Sequence, residues 1–206
     1  MLRTLGLATA ISVTFAGAAN AQSYSTDRFD IGPTSDGAGC FLQSHWSLPG
    51  RSDVYLGLVL ETNDDLFVGV WSHGWSRPPA DAEKVLGVVL WDGAGERTVF
   101  VLAAIPTGVE IGETNRGLLA MLPDERRAEF LAGFSGKRSF TILTRDLYAE
   151  EDVEFDTVLE GGLQGSSLAV TRLRTCVSDV RRREEERRER EADVAHIERD
   201  PFRRNE

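Results

Sequence analysis

The chain has 206 residues, a formal net charge of −10 at pH 7, and only two cysteines and three histidines. Residues 181–206 carry nine arginines and nine acidic residues, so the negative charge belongs to the central part of the chain. An acidic body disfavours nucleic acid and anionic membrane surfaces as partners, because both would repel it. The length is sufficient for one domain with a substantial core.

Residues 1–21 have the pattern of a secretory signal peptide. Arg3 precedes an apolar run that ends near residue 18, and the tripeptide Ala19-Asn20-Ala21 has the small-x-small form of a cleavage site. The apolar run is shorter than the roughly 20 residues of a membrane-spanning helix. The sequence therefore predicts cleavage near Ala21 and a mature protein, without a membrane span, in the periplasm or outside the cell.

Export places the two cysteines, Cys40 and Cys176, in an oxidising compartment. Cysteines in exported proteins are usually paired, so we predict a disulfide between them. The alternative is two unpaired thiols. The paired arrangement would connect the two ends of nearly the whole folded region.

The first half of the mature chain is predicted to be β-rich. Residues 22–37 are polar and are interpreted as a loose leader before a single domain over residues 38–180. The tetrapeptide "DGAG" occurs at Asp36 and at Asp92, and "ETNDD" begins at Glu61; all three are predicted turns, because glycine accepts a positive φ and aspartate caps the turn. The predicted strands are 39–48, 53–61, 65–72, 84–92 and 97–105.

Three of these predicted strands carry a glycine in mid-run, namely Gly57, Gly69 and Gly87. Glycine weakens a strand interior and often marks a bulge, a bend or a close backbone approach. Three in succession favour a strongly curved sheet, although they are also compatible with tolerated weak points.

The second half adds helices and one hairpin. Pro123 begins a predicted short helix that ends at Gly133 or Gly136, and residues 138–146 and 152–160 form a predicted hairpin. A last helix follows Ser166 or Ser167, either of which is a good N-cap. The residues predicted to lie on one face of that helix are Ala169, Leu173, Cys176, Val177 and Val180.

The chain closes with a highly charged tail over residues 181–206, predicted to be helical or disordered. Glu184 and Arg188 are a favourable pair four residues apart. The predicted fold class is α+β, mainly antiparallel β, in the form of a curved sheet, a sandwich or a partial barrel with two short helices and this tail.

The segment of about 45 residues before Cys176 resembles the C-terminal half of the invasion-associated locus B family of small exported bacterial proteins. Gly136-Lys137 precedes the predicted hairpin, and Leu159, Gly161, Ala169 and Leu173 follow in the order of the family motif. The sequence lacks the usual Gly-Phe of that motif and has extra residues within it. The resemblance implies an exported, β-rich, non-catalytic protein.

The candidate functional residues are histidines and tryptophans in "QSHWS" and "WSHGWSRPP". Exposed aromatic residues beside an arginine are typical of binding patches. Buried tryptophans at a sheet end are the alternative. The predicted patch consists of His45, Trp46, Trp71, His73, Trp75 and Arg77.

No other pattern predicts catalysis, a cofactor or a metal. The histidines lack the spacing of metal ligands, and "GFSGK" around Ser135 departs from the nucleophile-elbow motif by one position. We therefore expect a non-enzymatic binding or interaction module whose partner is a protein or a small molecule. Two alternatives stay open: a periplasmic hydrolase using His45 or His73 with nearby carboxylates, and an envelope-complex accessory protein that docks through its charged tail.

Overall fold

The computed structural model describes residues 28–47, 53–72, 84–108, 116–146 and 155–199. They form one nine-stranded antiparallel sheet, in the order β1-β2-β3-β4-β7-β6-β5-β8-β9, and two helices, which confirms the predicted fold class. The elements are β1 (Phe29–Pro33), β2 (Gly39–Trp46), β3 (Val54–Glu61), β4 (Leu66–Ser72), β5 (Lys84–Trp91), β6 (Arg97–Gly108), β7 (Arg116–Met121), α1 (Asp124–Gly136), β8 (Ser139–Asp146), β9 (Asp156–Gly162) and α2 (Ser166–Arg199).

The sheet is strongly curved, as the three mid-strand glycines predict. Trp46 of β2 packs edge-to-face on Phe140 of β8, with ring centroids 5.4 Å apart, although several strands separate them in the sheet. A Cβ built on Gly161 of β9 would lie 2.7 Å from the same indole. The two ends of the sheet thus approach each other, and in the described part of the chain no ladder joins β1 to β9. The result is a partial barrel and not a sandwich.

Both helices pack on the concave side of this sheet and form the core with it. Phe130 of α1 lies 5.0 Å from Phe100 of β6, and Phe134 lies 6.1 Å from Phe29 of β1, measured between ring centroids. The five residues predicted to form one face of α2 are all buried. The convex side of the sheet therefore faces away from both helices.

The predicted disulfide is present between Cys40 of β2 and Cys176 of α2, with the two Cα atoms 6.1 Å apart. Both residues are almost completely buried. One turn further along α2, Arg181 donates through Nε to the carbonyl oxygen of Thr62 at 2.6 Å and forms a salt bridge with Asp64. Helix α2 is thus fastened to β2 and to the β3–β4 turn.

The predicted turns are confirmed in their detail. In both "DGAG" segments the aspartate accepts a hydrogen bond from the backbone N–H two residues later, at 3.0 Å for Asp36 and 2.7 Å for Asp92. Gly37 and Gly93 adopt φ values of 70° and 86°, which favour glycine. The segment that begins at Glu61 joins the antiparallel strands β3 and β4.

The structure changes two points of the predicted organisation and confirms a third. Residues 22–37 are not loose throughout, because β1 pairs with β2 and buries Phe29 and Ile31 in the core. Strand β7 was not predicted; it is short and follows a glycine-rich stretch. The charged tail is helical, as one of the two predicted alternatives has it, since α2 runs without a break across residue 181 to Arg199, about 50 Å at 1.5 Å per residue.

Candidate functional site

The central strands are apolar on both faces, which is unusual for a curved antiparallel sheet with helices on one side only. Strands β4 and β5, "LFVGVWS" and "KVLGVVLW", are almost continuous apolar runs. Runs of this kind are typical of strands covered on both faces. Here α1 and α2 cover the concave face, and most outward-pointing residues of β4 and β5 are also buried. The exposed apolar side chains of the convex face lie on the neighbouring strands β6 and β7.

Four large apolar side chains are exposed on this convex face. They are Val99, Val101 and Ile105 of β6 and Met121 of β7, with exposed fractions of 48, 62, 59 and 58%. The residues that alternate with them in these two strands are in the core. Since β6 and β7 are neighbours, the four side chains form one surface, which we call the convex patch.

The patch continues across the sheet into β4, β3 and β2. One register row joins Met121 to Phe67, Val59 and Phe41, all of which are half-buried. A second row joins Ile105 to Leu119, which is also half-buried. Contiguous exposed apolar surface is a mark of interaction sites in proteins.

Beside the patch, an indole fills a slot made by three glycines. Trp71 lies flat on the convex face, and a Cβ built on Gly57 would be 2.6 Å from its Cζ3 atom. A Cβ on Gly117 would be 2.7 Å from the Cβ of Trp71, and one on Gly69 would be 3.3 Å from Cζ3. The glycines of β3 and β4 are thus required for side-chain packing and not only for curvature. Trp71 is 5% exposed despite its outward direction.

The predicted His45 and Trp71 lie in one cross-strand row, bridged by Tyr55. The rings of His45 and Tyr55 are stacked at 4.9 Å, and those of Tyr55 and Trp71 at 6.0 Å with an interplanar angle of 4°. His45 Nε2 lies 3.1 Å from Asp53 Oδ2, and both side chains are about half exposed. The ring faces contact one another, and the exposed end of this row is at His45, because Trp71 is buried.

The other members of the predicted patch do not join this row in the described structure. Trp46 points to the opposite face of the sheet, where it packs on Phe140. His73, Trp75 and Arg77 lie outside the described residues. The observed surface therefore combines His45 of the predicted patch with apolar side chains that were not predicted as functional, whereas Trp71 is buried, as the alternative interpretation expects.

The geometry gives little support to hydrolysis at His45. Ser44 and Ser72, the hydroxyl-bearing residues next to His45 and Trp71, are buried at alternate positions and so point to the concave side. Ser135 belongs to the C-terminal turn of α1 and donates its hydroxyl to the carbonyl oxygen of Leu131. Within the described ranges, no group of three or more His, Cys, Asp or Glu side chains is arranged to hold a metal ion.

The β3–β4 turn carries a concentration of acidic charge. Burial raises the pKa of Glu61, and the nearby carboxylates of Asp65 and Asp36 raise it further. Asn63 donates to Asp65 at 2.8 Å and so satisfies part of this cluster. This acidic charge lies at the β3–β4 turn, whereas the charged groups next to the convex patch are basic: Arg97 precedes Val99 on the same face of β6, and Arg126 donates to the carbonyl oxygen of Val99.

A comparison with protein-family models, curated proteins and solved structures finds no match to this chain. The resemblance to the invasion-associated locus B family therefore stays a prediction. No helix among the described residues is both long enough and apolar enough to cross a membrane.

Proposed function

We propose that the chain is an exported, non-enzymatic binding module that recognises its partner through the convex patch. The observation that carries this proposal is the exposure of Val99, Val101, Ile105 and Met121 on one face of two adjacent strands. The buried Cys40–Cys176 disulfide supports the part of the proposal that concerns export, because such bonds persist in oxidising compartments.

The size of the patch limits how a partner can use it. Full burial of a Val, Ile or Met side chain contributes about 1.5–3 kcal/mol, and roughly half of that is still to be gained at each of the four residues. The sum, about 4 kcal/mol, is no more than the cost of association itself. A stable complex must therefore also cover the neighbouring half-buried row that contains Phe67 and Val59.

The proposal is tested with a patch variant and a matched control variant. Val101→Lys with Ile105→Lys places charge in the patch, and exposed positions of this kind change stability little. Val194→Lys is the control, because Val194 is 55% exposed but lies far along α2. The mature protein is used to recover partners from the soluble exported fraction of the producing cell.

We expect a discrete partner with the wild type and with Val194→Lys, and its loss with the patch variant. Equal recovery of the partner by all three proteins would mean that the convex patch does not bind it. If only Val194→Lys abolishes recovery of the partner, the result would instead favour the accessory-protein alternative, in which the charged tail docks. Hydrolase activity abolished by His45→Ala would favour the enzyme alternative.

A further inference from the structure

The partial barrel has one strand edge that the rest of the fold leaves open. The sheet begins with β1, against which α2 packs, and ends with β9, which pairs only with β8 in the described structure. Asp156, Thr157 and Glu160 of β9 are exposed. An open strand edge presents backbone donors and acceptors to which another extended chain can pair.

The register identifies which backbone groups face outward. The N–H of Leu163 donates to the carbonyl oxygen of Arg138 at 2.8 Å. This hydrogen-bonded pair is next in the ladder to the pair Ser139–Gly162. Because hydrogen-bonded and non-bonded pairs alternate in an antiparallel ladder, Gly161 bonds to β8, whereas Glu160 points its N–H and C=O away from the sheet. Glu160 therefore offers one donor and one acceptor at the open edge.

The side chains at this edge are acidic and unneutralised. Neither Asp156 nor Glu160 forms a salt bridge with another described residue. A register shift lies between the pairs Ile142–Leu159 and Leu143–Thr157, so Val158 is an extra residue and Asp156 and Glu160 project on opposite faces of the sheet. On either face, a second copy of β9 would bring only further carboxylates to this edge. Like charges directly opposite each other destabilise a strand pair. The carboxylates therefore oppose self-pairing and favour a strand with basic residues.

We propose that the open edge of β9 binds an extended, basic segment of a partner protein by strand addition. The backbone of Glu160 supplies main-chain hydrogen bonds. The carboxylate of Glu160 pairs with Lys or Arg on one face of the incoming strand, and the carboxylate of Asp156 pairs with a basic residue on the opposite face. This site is separate from the convex patch. It is compatible with the proposed binding function, but it does not depend on that patch.

The test uses two synthetic peptides, capped at both ends, with the sequences TRTRTRT and TETETET. Each is titrated into the isotope-labelled full mature chain, and the amide signals and hydrogen-exchange rates of β9 are followed by NMR. We expect the arginine peptide to bind at least about tenfold more tightly, because favourable cross-strand pairs replace repulsive ones. We also expect it to slow exchange at the Glu160 amide, which points outward.

Two variants separate strand addition from simple charge attraction. Glu160→Pro removes the outward N–H and blocks the edge, at a position where proline is tolerated because this N–H does not hydrogen-bond to β8. Asp156→Asn with Glu160→Gln removes the charge only, and Glu185→Gln with Glu189→Gln on the exposed tail is its charge-matched control. We expect binding to be lost with the proline variant, weakened with the β9 amide variant and unchanged with the tail control.

An arginine peptide methylated on alternate backbone nitrogens tests the hydrogen bonds even if the proline variant misfolds. Loss of binding with this peptide supports strand addition. Undiminished binding of the methylated peptide, equal loss with the tail control, or no measurable binding of the arginine peptide would overturn the proposal. If the arginine peptide does not bind, the carboxylates of β9 serve only to protect this strand edge from aggregation. Partner recovery through the convex patch is measured independently and can fail or succeed on its own.

Discussion

Replacing both cysteines by alanine isolates what the Cys40–Cys176 disulfide contributes to stability. The bond joins residues 136 positions apart, and for a loop of that length the chain-entropy relation gives about 5 kcal/mol at 25 °C. Measured losses for native disulfides range from about 2 to 5 kcal/mol, so we expect a loss of about 3–5 kcal/mol. Most of it arises in the unfolded chain, because the buried face of α2 around Leu173 and Val177 still holds the helix in place.

The loss is measured by urea denaturation, followed by far-UV circular dichroism with and without a thiol reductant. Reduced wild type and the double alanine variant should give the same curve. The m-value should rise in both, because an unbridged unfolded chain exposes more surface. Val177→Ala is the matched control: it removes packing on the same helix face and should cost about 2 kcal/mol in the oxidised and in the reduced protein alike.

Two results would refute this reasoning. A double variant within about 1 kcal/mol of the oxidised wild type, with an unchanged m-value, would mean that the bond does not restrict the unfolded chain. A loss of helical signal from the double variant without urea would mean that the bond itself, and not the apolar face of α2, docks the helix.

Three further predictions concern the packing, the electrostatics and the processing of the chain. Gly57→Ala should destabilise the fold by about 1–3 kcal/mol, because the added methyl group overpacks against Trp71. In a double-mutant cycle, Trp71→Ala in the same chain should remove most of that extra cost. Fully additive losses would contradict the packing of Trp71 against Gly57. Glu61→Gln should raise the free energy of unfolding at neutral pH, because the raised pKa of Glu61 means that the folded state disfavours the ionised carboxyl. The gain should stay below about 1 kcal/mol and vanish as pH falls below the pKa of Glu61 in the unfolded chain. A gain that does not change with pH in urea titrations would contradict this prediction. N-terminal sequencing of the exported protein should begin at Gln22, and an intact Met1 would contradict the signal peptide.

Much of the fold is predictable because local chemistry decides it. The aspartate-glycine turns at Asp36 and Asp92 specify hairpin geometry within four residues, and the spacing of apolar residues around Leu173 specifies the buried face of α2. The disulfide follows from the expected compartment and the cysteine count. Strand β1 could not be predicted in this way, because only Phe29 and Ile31 distinguish it from a polar linker and its partner strand supplies the remaining stability.

The site was only partly predictable, because it depends on which side of the sheet each residue faces. His45 and Trp46 are neighbours in sequence, yet they point to opposite faces of β2. Conversely, Val101 and Met121 are distant in sequence and share one surface only through the pairing of β6 with β7. The continuous apolar runs of β4 and β5 reflect burial on both faces of those two strands, whereas the exposed patch lies on β6 and β7.

The central claim, that the convex patch is a binding surface, is tested most directly by crosslinking inside the producing cell. A photoreactive amino acid is introduced at Val101, and separately at Leu168, which is 51% exposed on α2. Our account predicts a discrete adduct of one partner from position 101 and none of that mass from position 168. No adduct from position 101, or the same adduct from both positions, would contradict the claim.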